Sequence, residues 1–196
     1  MENKCVFLDR DGVLIEDVGL IARSDDIHVY HDVPSGLCQL KENGFQLIVI
    51  SNQTVIARGL LTENEMLSLN KQINKIITNA GGPDLDIIYY CPHHPEATIE
   101  SYRLDCECRK PKPGLILQAA HEHNIDLHRS YLVGDRITDI MAGQRANCHT
   151  ILVQTGAHNA PPIQTSESID SLIKPEFTCE NFTQASKWII HSEAGK

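Results

Sequence analysis

Asp9 and Asp11 stand two residues apart at the end of a short apolar run, within Cys5 to Gly12, CVFLDRDG. Cys, Val, Phe and Leu without polar interruption read as a strand buried on both faces, so the carboxylates mark where the chain meets solvent. If the extended geometry continues through Arg10, the pleat places both aspartates on one side and the arginine on the other. Two hard oxygen donors at close quarters repel unless they share a proton or a metal, and Mg2+ is the usual ion where phosphate is the substrate. The plain alternative is a polar strand-to-loop turn in which Gly12 takes a positive φ.

The elements that must hold such a site follow the same pattern down the chain. Apolar runs at residues 45–50, 87–90, 131–133 and 150–153 predict four more strands, ending respectively in SNQ, CPHHP, GDRITD and QTG. Helices are predicted between them: over 33–43, with Pro34 in the first turn and Gly44 to close it; after the capping-box spacing of Thr62 and Glu65, with Met66, Leu69, Ile73, Ile76 and Ile77 as a core stripe; from Pro113 through about His123; and over 138–146. A last helix over 181–191 carries Trp188 and Ile189 back onto the sheet. Residues 54–61 read as a loop, 157–176 as a connector, and 13–30 as a loop or short flap that brings Asp17 to Leu20 over the mouth of the site. Alternating strand and helix implies an α/β fold, a parallel sheet with helices on both faces. Ligands bind such sheets beyond the carboxyl ends of the strands. The polar clusters DRD, SNQ, the cysteine-rich loop leading to RKP, and GDR then converge on one rim.

A chain of 196 residues, 41% hydrophobic, suits one domain spanning 1–196. No apolar run approaches the ~20 residues that cross a bilayer, and no leader segment is recognisable, so a cytoplasmic protein without a membrane partner is expected. A net charge of −9 argues against a nucleic-acid partner, which needs a broad basic face. Any phosphate bound should be small and gripped locally. Seven cysteines cannot all pair within one chain, and three of them cluster between Cys91 and Cys108. Cys5, Cys38 and Cys148 lie in or beside apolar segments and read as small buried hydrophobes.

Taken in order, DRDG, SNQ, RKPKPG and GDRITD resemble the four motifs of the haloacid-dehalogenase-like phosphohydrolases: an Asp-x-Asp, a Ser or Thr, a Lys and an acidic cluster. FLDRDG, SNQ with IARG, CPHHP, CxCRKPKPG and VGD narrow this to a pattern similar to the D-glycero-D-manno-heptose 1,7-bisphosphate 7-phosphatases and the related histidinol-phosphate phosphatases, over most of the chain up to Gly156. Val13, Leu20 and Val55 stand where Thr, Tyr and Gly are common in that pattern. The resemblance implies a Rossmann-like sheet without a large cap domain and an Mg2+-dependent phosphatase acting on the 7-phosphate of a small sugar bisphosphate, in nucleotide-heptose synthesis for surface polysaccharide. Histidinol phosphate is the alternative substrate. A catalytically silent, zinc-stabilised binding module is the alternative class, but it predicts a broken Asp-x-Asp or a missing Lys, and neither is broken here.

By the same resemblance Asp9 is the nucleophile and Asp11 the general acid and then base, while Asp9, the Asp11 carbonyl and Asp135 hold Mg2+. Ser51 and Lys110 stabilise the phosphoryl oxygens. Asp17, Gly19, Asn52, Gln53, Thr54, Arg109 and Arg136 are expected to contact substrate, Arg109 with a fork suited to a second phosphate or to sugar oxygens. Asp139 orients the acidic motif, and Lys112 is solvated. Cys91, His93, Cys106 and Cys108 offer three thiolates and an imidazole, a tetrahedral Zn2+ set with no open position and hence structural. Spacing alone would admit His94 in place of His93; the resemblance selects His93. Folding this loop, about 91–108, would fix the adjacent Arg109 and Lys110. A monomer is expected.

Overall fold

Along β1 (Cys5–Leu8) the side chains alternate between two apolar clusters, Val6 and Leu8 entering one and Cys5 and Phe7 the other. That is the period-2 signature of a strand covered on both faces, and it explains why the run carries no polar residue. The protein, described here from a computed structural model covering residues 3–156 and 173–194, builds both layers around this strand. β2 (Gln46–Asn52), β3 (Ile87–Cys91), β4 (Tyr131–Gly134), β5 (His149–Val153) and β6 (Phe177–Cys179) complete a sheet of order β3-β2-β1-β4-β5-β6 in which every pairing is parallel.

Helices α1 (Val33–Glu42), α3 (Glu63–Asn79) and α6 (Phe182–Ala194) cover the face that carries Val6 and Leu8, with Leu37, Leu40, Ile73, Ile77, Phe182 and Ile189 buried there. On the opposite face, α4 (Gly114–His123) and α5 (Ile137–Arg145) bury Leu115, Ile116 and Ala142 against Phe7 and Leu132. The chain moves outward from β1 to β2 and β3, then returns to β1's other side with β4. Loops after β1 and β4 therefore diverge, opening the crevice in which such sheets bind ligands.

Local signals set several boundaries. Thr62 Oγ1 accepts from the Glu65 N–H at 3.3 Å and Glu65 Oε2 accepts from the Thr62 N–H at 2.7 Å, the reciprocal cap that starts α3. The flap at 13–30 contains no strand, only isolated bridges and a short turn at Ser24–Asp26. Leu14, Ile15 and Ile21 anchor it in the core, which leaves Val18 and Leu20 exposed at its tip.

Three expectations are corrected. Residues 54–61 are not all loop, because α2 (Thr54–Ala57) makes one helical turn with Val55, Ile56 and Ala57 buried. Cys38 is half-buried rather than enclosed, and its thiol donates to the Gly81 carbonyl at 3.3 Å on the outer side of α1. The sheet gains a sixth strand, β6, too short to show a pattern of its own. The connector at 157–176 falls mostly outside the described residues.

Candidate active site

Charged residues following β1, β3 and β4 meet in one buried ion cluster against the end of β2. Lys110, 3% exposed, places its Nζ 2.8 Å from Asp9 Oδ1, 2.7 Å from Asp139 Oδ1 and 2.8 Å from the Ile50 carbonyl. Burial works against the ammonium, but Asp139 and Asp9 outweigh it and hold the lysine charged well above its ordinary range. Burial also pushes the Asp9 carboxyl up, opposed by Lys110 and reinforced by Asp139. Carboxylates thus outnumber the ammonium here, an imbalance that a cation would relieve. The donors fit one: carboxylate oxygens of Asp9, Asp135 and Asp139 lie within 4.8 Å of one another, hard ligands of the kind Mg2+ takes, although Asp139 is already engaged by Lys110 and the Arg136 N–H. Gly12, at φ +83°, and Gly156 press directly on the Asp135 carboxylate, where a Cβ on either would fill the cradle.

Asp11 lies in a separate network. β1 ends at Leu8, the chain turns at Gly12, and the simple pleat expectation fails for Arg10. Its guanidinium does not sit opposite the aspartates but grips Asp11, with Nη2 3.0 Å from Asp11 Oδ1. Gln53 continues the chain of contacts, donating from Nε2 to Asp11 Oδ2 at 2.9 Å and to Ser51 Oγ at 2.7 Å. Ser51, 1% exposed, is left with its own hydroxyl proton to donate toward the cavity. Asn52 clamps the Lys110 backbone at both ends, accepting from its N–H and donating to its carbonyl, each at 3.1 Å.

Above these groups opens a cavity of about 400 Å3. Asp9, Asp11, Ser51 and Lys110 line its floor; Asp17, Gly19 and Leu20 from the flap, Thr54 and Val55 from α2, and Arg109 and Arg136 line its walls. Arg136 pairs with Asp17 at 2.8 Å, tying the loop after β4 to the flap. Arg58 and His94 complete the wall beside Arg109. Burial and the two neighbouring guanidiniums, first Arg109 and then Arg58, hold His94 below its ordinary value and hence neutral at neutral pH.

Beyond β3 the thiols of Cys91, Cys106 and Cys108 lie 2.9 to 3.4 Å apart, and His93 Nδ1 lies 3.3 Å from Cys108 Sγ. Three thiols and an imidazole within reach of one point match a closed tetrahedral Zn2+ set. His94 is turned elsewhere, its Nδ1 accepting from the Glu96 N–H at 3.0 Å, so geometry separates the two histidines that spacing leaves open. Arg109 is held to this loop by donating to the His93 carbonyl at 3.0 Å.

A family model described as HAD-hyrolase-like matches residues 107–185. The chain is 45% identical over 152 residues to a D-glycero-beta-D-manno-heptose-1,7-bisphosphate 7-phosphatase from Yersinia pestis, covering 77% of this chain and 80% of the relative. The chain belongs to the heptose-bisphosphate phosphatase family. Its similarity to the enzyme of that name from Escherichia coli K12 is 40% identity over 162 residues, covering 82% of this chain and 84% of the relative. Among solved structures, D,D-heptose 1,7-bisphosphate phosphatase from B. bronchiseptica, complexed with magnesium and phosphate, superposes with a TM-score of 0.79 at 26% identity. That likeness covers 96% of this chain and 99% of the other.

Within this member of the heptose-bisphosphate phosphatase family, the residues expected at the rim separate into two groups. All of Asp9, Asp17, Ser51, Asn52, Gln53, Arg109, Lys110 and Arg136 line the cavity, but Asn52 and Gln53 also spend their amides on Lys110, Asp11 and Ser51. The sequence pattern assigns no cavity role to Arg58 or His94, and it places Arg10 on the wrong side of the chain. A usable signal existed for Arg58, which lies in the IARG segment, and for His94, which follows His93 in CPHHP.

Proposed function

We propose that this chain is a phosphatase that hydrolyses the 7-phosphate of D-glycero-beta-D-manno-heptose 1,7-bisphosphate, in nucleotide-heptose synthesis for surface polysaccharide. The observation that carries this reading is Lys110, poised between Asp9 and Asp139 on the floor of a cavity whose far wall is cationic. Asp9 attacks phosphorus, forming an acyl phosphate as the bond to the sugar oxygen breaks. Ser51 and Lys110 hold the phosphoryl oxygens, and Asp11 gives its proton to the leaving C7 oxygen. Water then attacks the same phosphorus, Asp11 takes its proton, and the Asp9 carboxylate is released. Mg2+, held by Asp9, the Asp11 carbonyl and Asp135, would supply charge neutralisation to the incoming phosphate.

Arg109, beside Arg58 and His94, offers the second phosphate a grip across the cavity. A histidinol amine would meet the same positive wall and be repelled. Leu20 and Val55 line the same cavity and would set the sugar preference. Zn2+ on Cys91, His93, Cys106 and Cys108 is structural, and the protein works as one cytoplasmic, monomeric domain with short loops in place of a cap. Phosphate release from heptose bisphosphate and from histidinol phosphate, with and without Mg2+ and in Asp9→Asn, tests the reading. Preference for histidinol phosphate, or metal-independent turnover, would overturn it.

A further inference from the structure

Among the described residues Arg10 is the largest fully buried side chain, 1% exposed beside a catalytic rim, and no step above uses it. A guanidinium carries five N–H donors in a fixed fork. All of them are occupied: Nε by Asp11, Nη1 by Asn70 Oδ1 at 3.2 Å and Met66 Sδ at 3.3 Å, and Nη2 by Gln53 Oε1 at 2.8 Å and Asp11 Oδ1 at 3.0 Å. No donor remains for substrate, so Arg10 is not a binding residue. Among the described residues Asp11 is the one carboxylate within ion-pair distance of it. A buried charge is tolerated only when paired and fully hydrogen-bonded, so the position of the guanidinium dictates where the Asp11 carboxylate rests.

What holds the guanidinium is equally specific. Asn70 and Met66 come from α3, on the face of that helix turned to the core, and both are nearly inaccessible. Gln53 comes from the loop after β2 and touches Asp11 itself through its amide nitrogen. Asp11 is therefore gripped from two sides by groups that are themselves fixed by packing, which is how a carboxyl is kept on the floor of the cavity without swinging toward solvent.

We propose that Arg10, held in place by Asn70 of α3, is a positioning residue that aims Asp11 at the leaving-group oxygen. The inference rests on the reading of Asp11 as general acid. A proton donor matters for an alcohol leaving group and hardly at all for a nitrophenolate, which departs unprotonated. Misaiming the acid should thus depress kcat/KM selectively for the sugar ester, whereas general loosening of the fold would depress both esters alike.

The test compares kcat/KM for heptose bisphosphate and for p-nitrophenyl phosphate in wild type, Asp11→Asn, Asn70→Ala and Arg10→Lys, all with saturating Mg2+. Asp11→Asn should lose about 10²- to 10⁴-fold on the sugar ester and far less on the aryl ester. Asn70→Ala and Arg10→Lys should show the same bias, about tenfold or more on the sugar ester and within about threefold on the aryl ester. If Arg10→Lys does not fold, Asn70→Ala carries the comparison, since it removes one hydrogen bond and leaves the charge pair in place. Equal losses on both esters in Asp11→Asn would sink the general-acid reading. A biased Asp11→Asn alongside unbiased Asn70→Ala would overturn the positioning role of Arg10 alone.

Discussion

Lys110 and Asp139 form an ion pair of 2.7 Å in which both side chains are almost wholly shielded from water. The second Asp139 oxygen accepts from the Arg136 N–H at 3.0 Å, so one carboxylate pins both the lysine and the start of α5. Asp139→Asn keeps the shape and removes the charge. It should lower unfolding free energy by about 2 kcal/mol and lower kcat, as read by urea denaturation and steady-state kinetics in parallel. Unchanged stability would mean that Asp9 alone suffices to hold Lys110.

Arg109 reaches the cavity from the loop that carries the Cys and His donors. Arg109→Ala should raise KM for heptose 1,7-bisphosphate by about tenfold to a hundredfold, the worth of roughly 1.5–3 kcal/mol for a hydrogen bond to a charged group. With a monophosphate lacking the second anion, KM should barely move. A similar rise on both substrates would place Arg109 at the scissile phosphate instead.

Chelating metal from the proposed Zn2+ site on Cys91, His93, Cys106 and Cys108, with Mg2+ held constant, separates the loop from the chemistry. Asn52 clamps the Lys110 backbone independently of the thiols, whereas Arg109 donates to the His93 carbonyl inside the cluster. KM should therefore rise more than kcat falls. Zinc-free protein with unchanged kinetics would remove the loop from substrate binding.

The cap of α3 gives a pH signature. Hydrogen bonds from the Thr62 backbone and hydroxyl hold the Glu65 carboxyl below its ordinary value of 4.5. A carboxyl with a depressed folded value stabilises the protein above its unfolded value, and that contribution is lost as pH falls through the folded value. Wild type should melt above Glu65→Gln at pH 7, with the gap closing below about pH 4. A gap independent of pH would assign the effect to hydrogen bonding rather than to charge.

Much of this arrangement was legible in the sequence because the same cause recurs: a strand buried on both faces must be apolar, so the first polar residue marks its carboxyl end. Asp9 and Asp135 stand just beyond β1 and β4 and Ser51 at the end of β2, as this rule expects, and Thr62 with Glu65 marks α3 through a local rule. What escaped notice depends on distant chain. Arg10 obeys no pleat because its partners Asn70 and Met66 come from α3. β6 is three residues long and follows a connector, leaving too short a window for alternation to show. Cys38 lies on α1 just outside the stripe of Leu37 and Leu40, a difference of one position that composition alone does not register.

The central claim is that Asp9 carries the phosphoryl group between its two transfers. Rapid acid quench of enzyme turning over radiolabelled heptose bisphosphate, followed by peptide mapping, should find acid-stable, hydroxylamine-labile phosphate on the peptide containing Asp9 and none in Asp9→Asn. Label on another residue, or Asp9→Asn turning over at the wild-type rate, would contradict it.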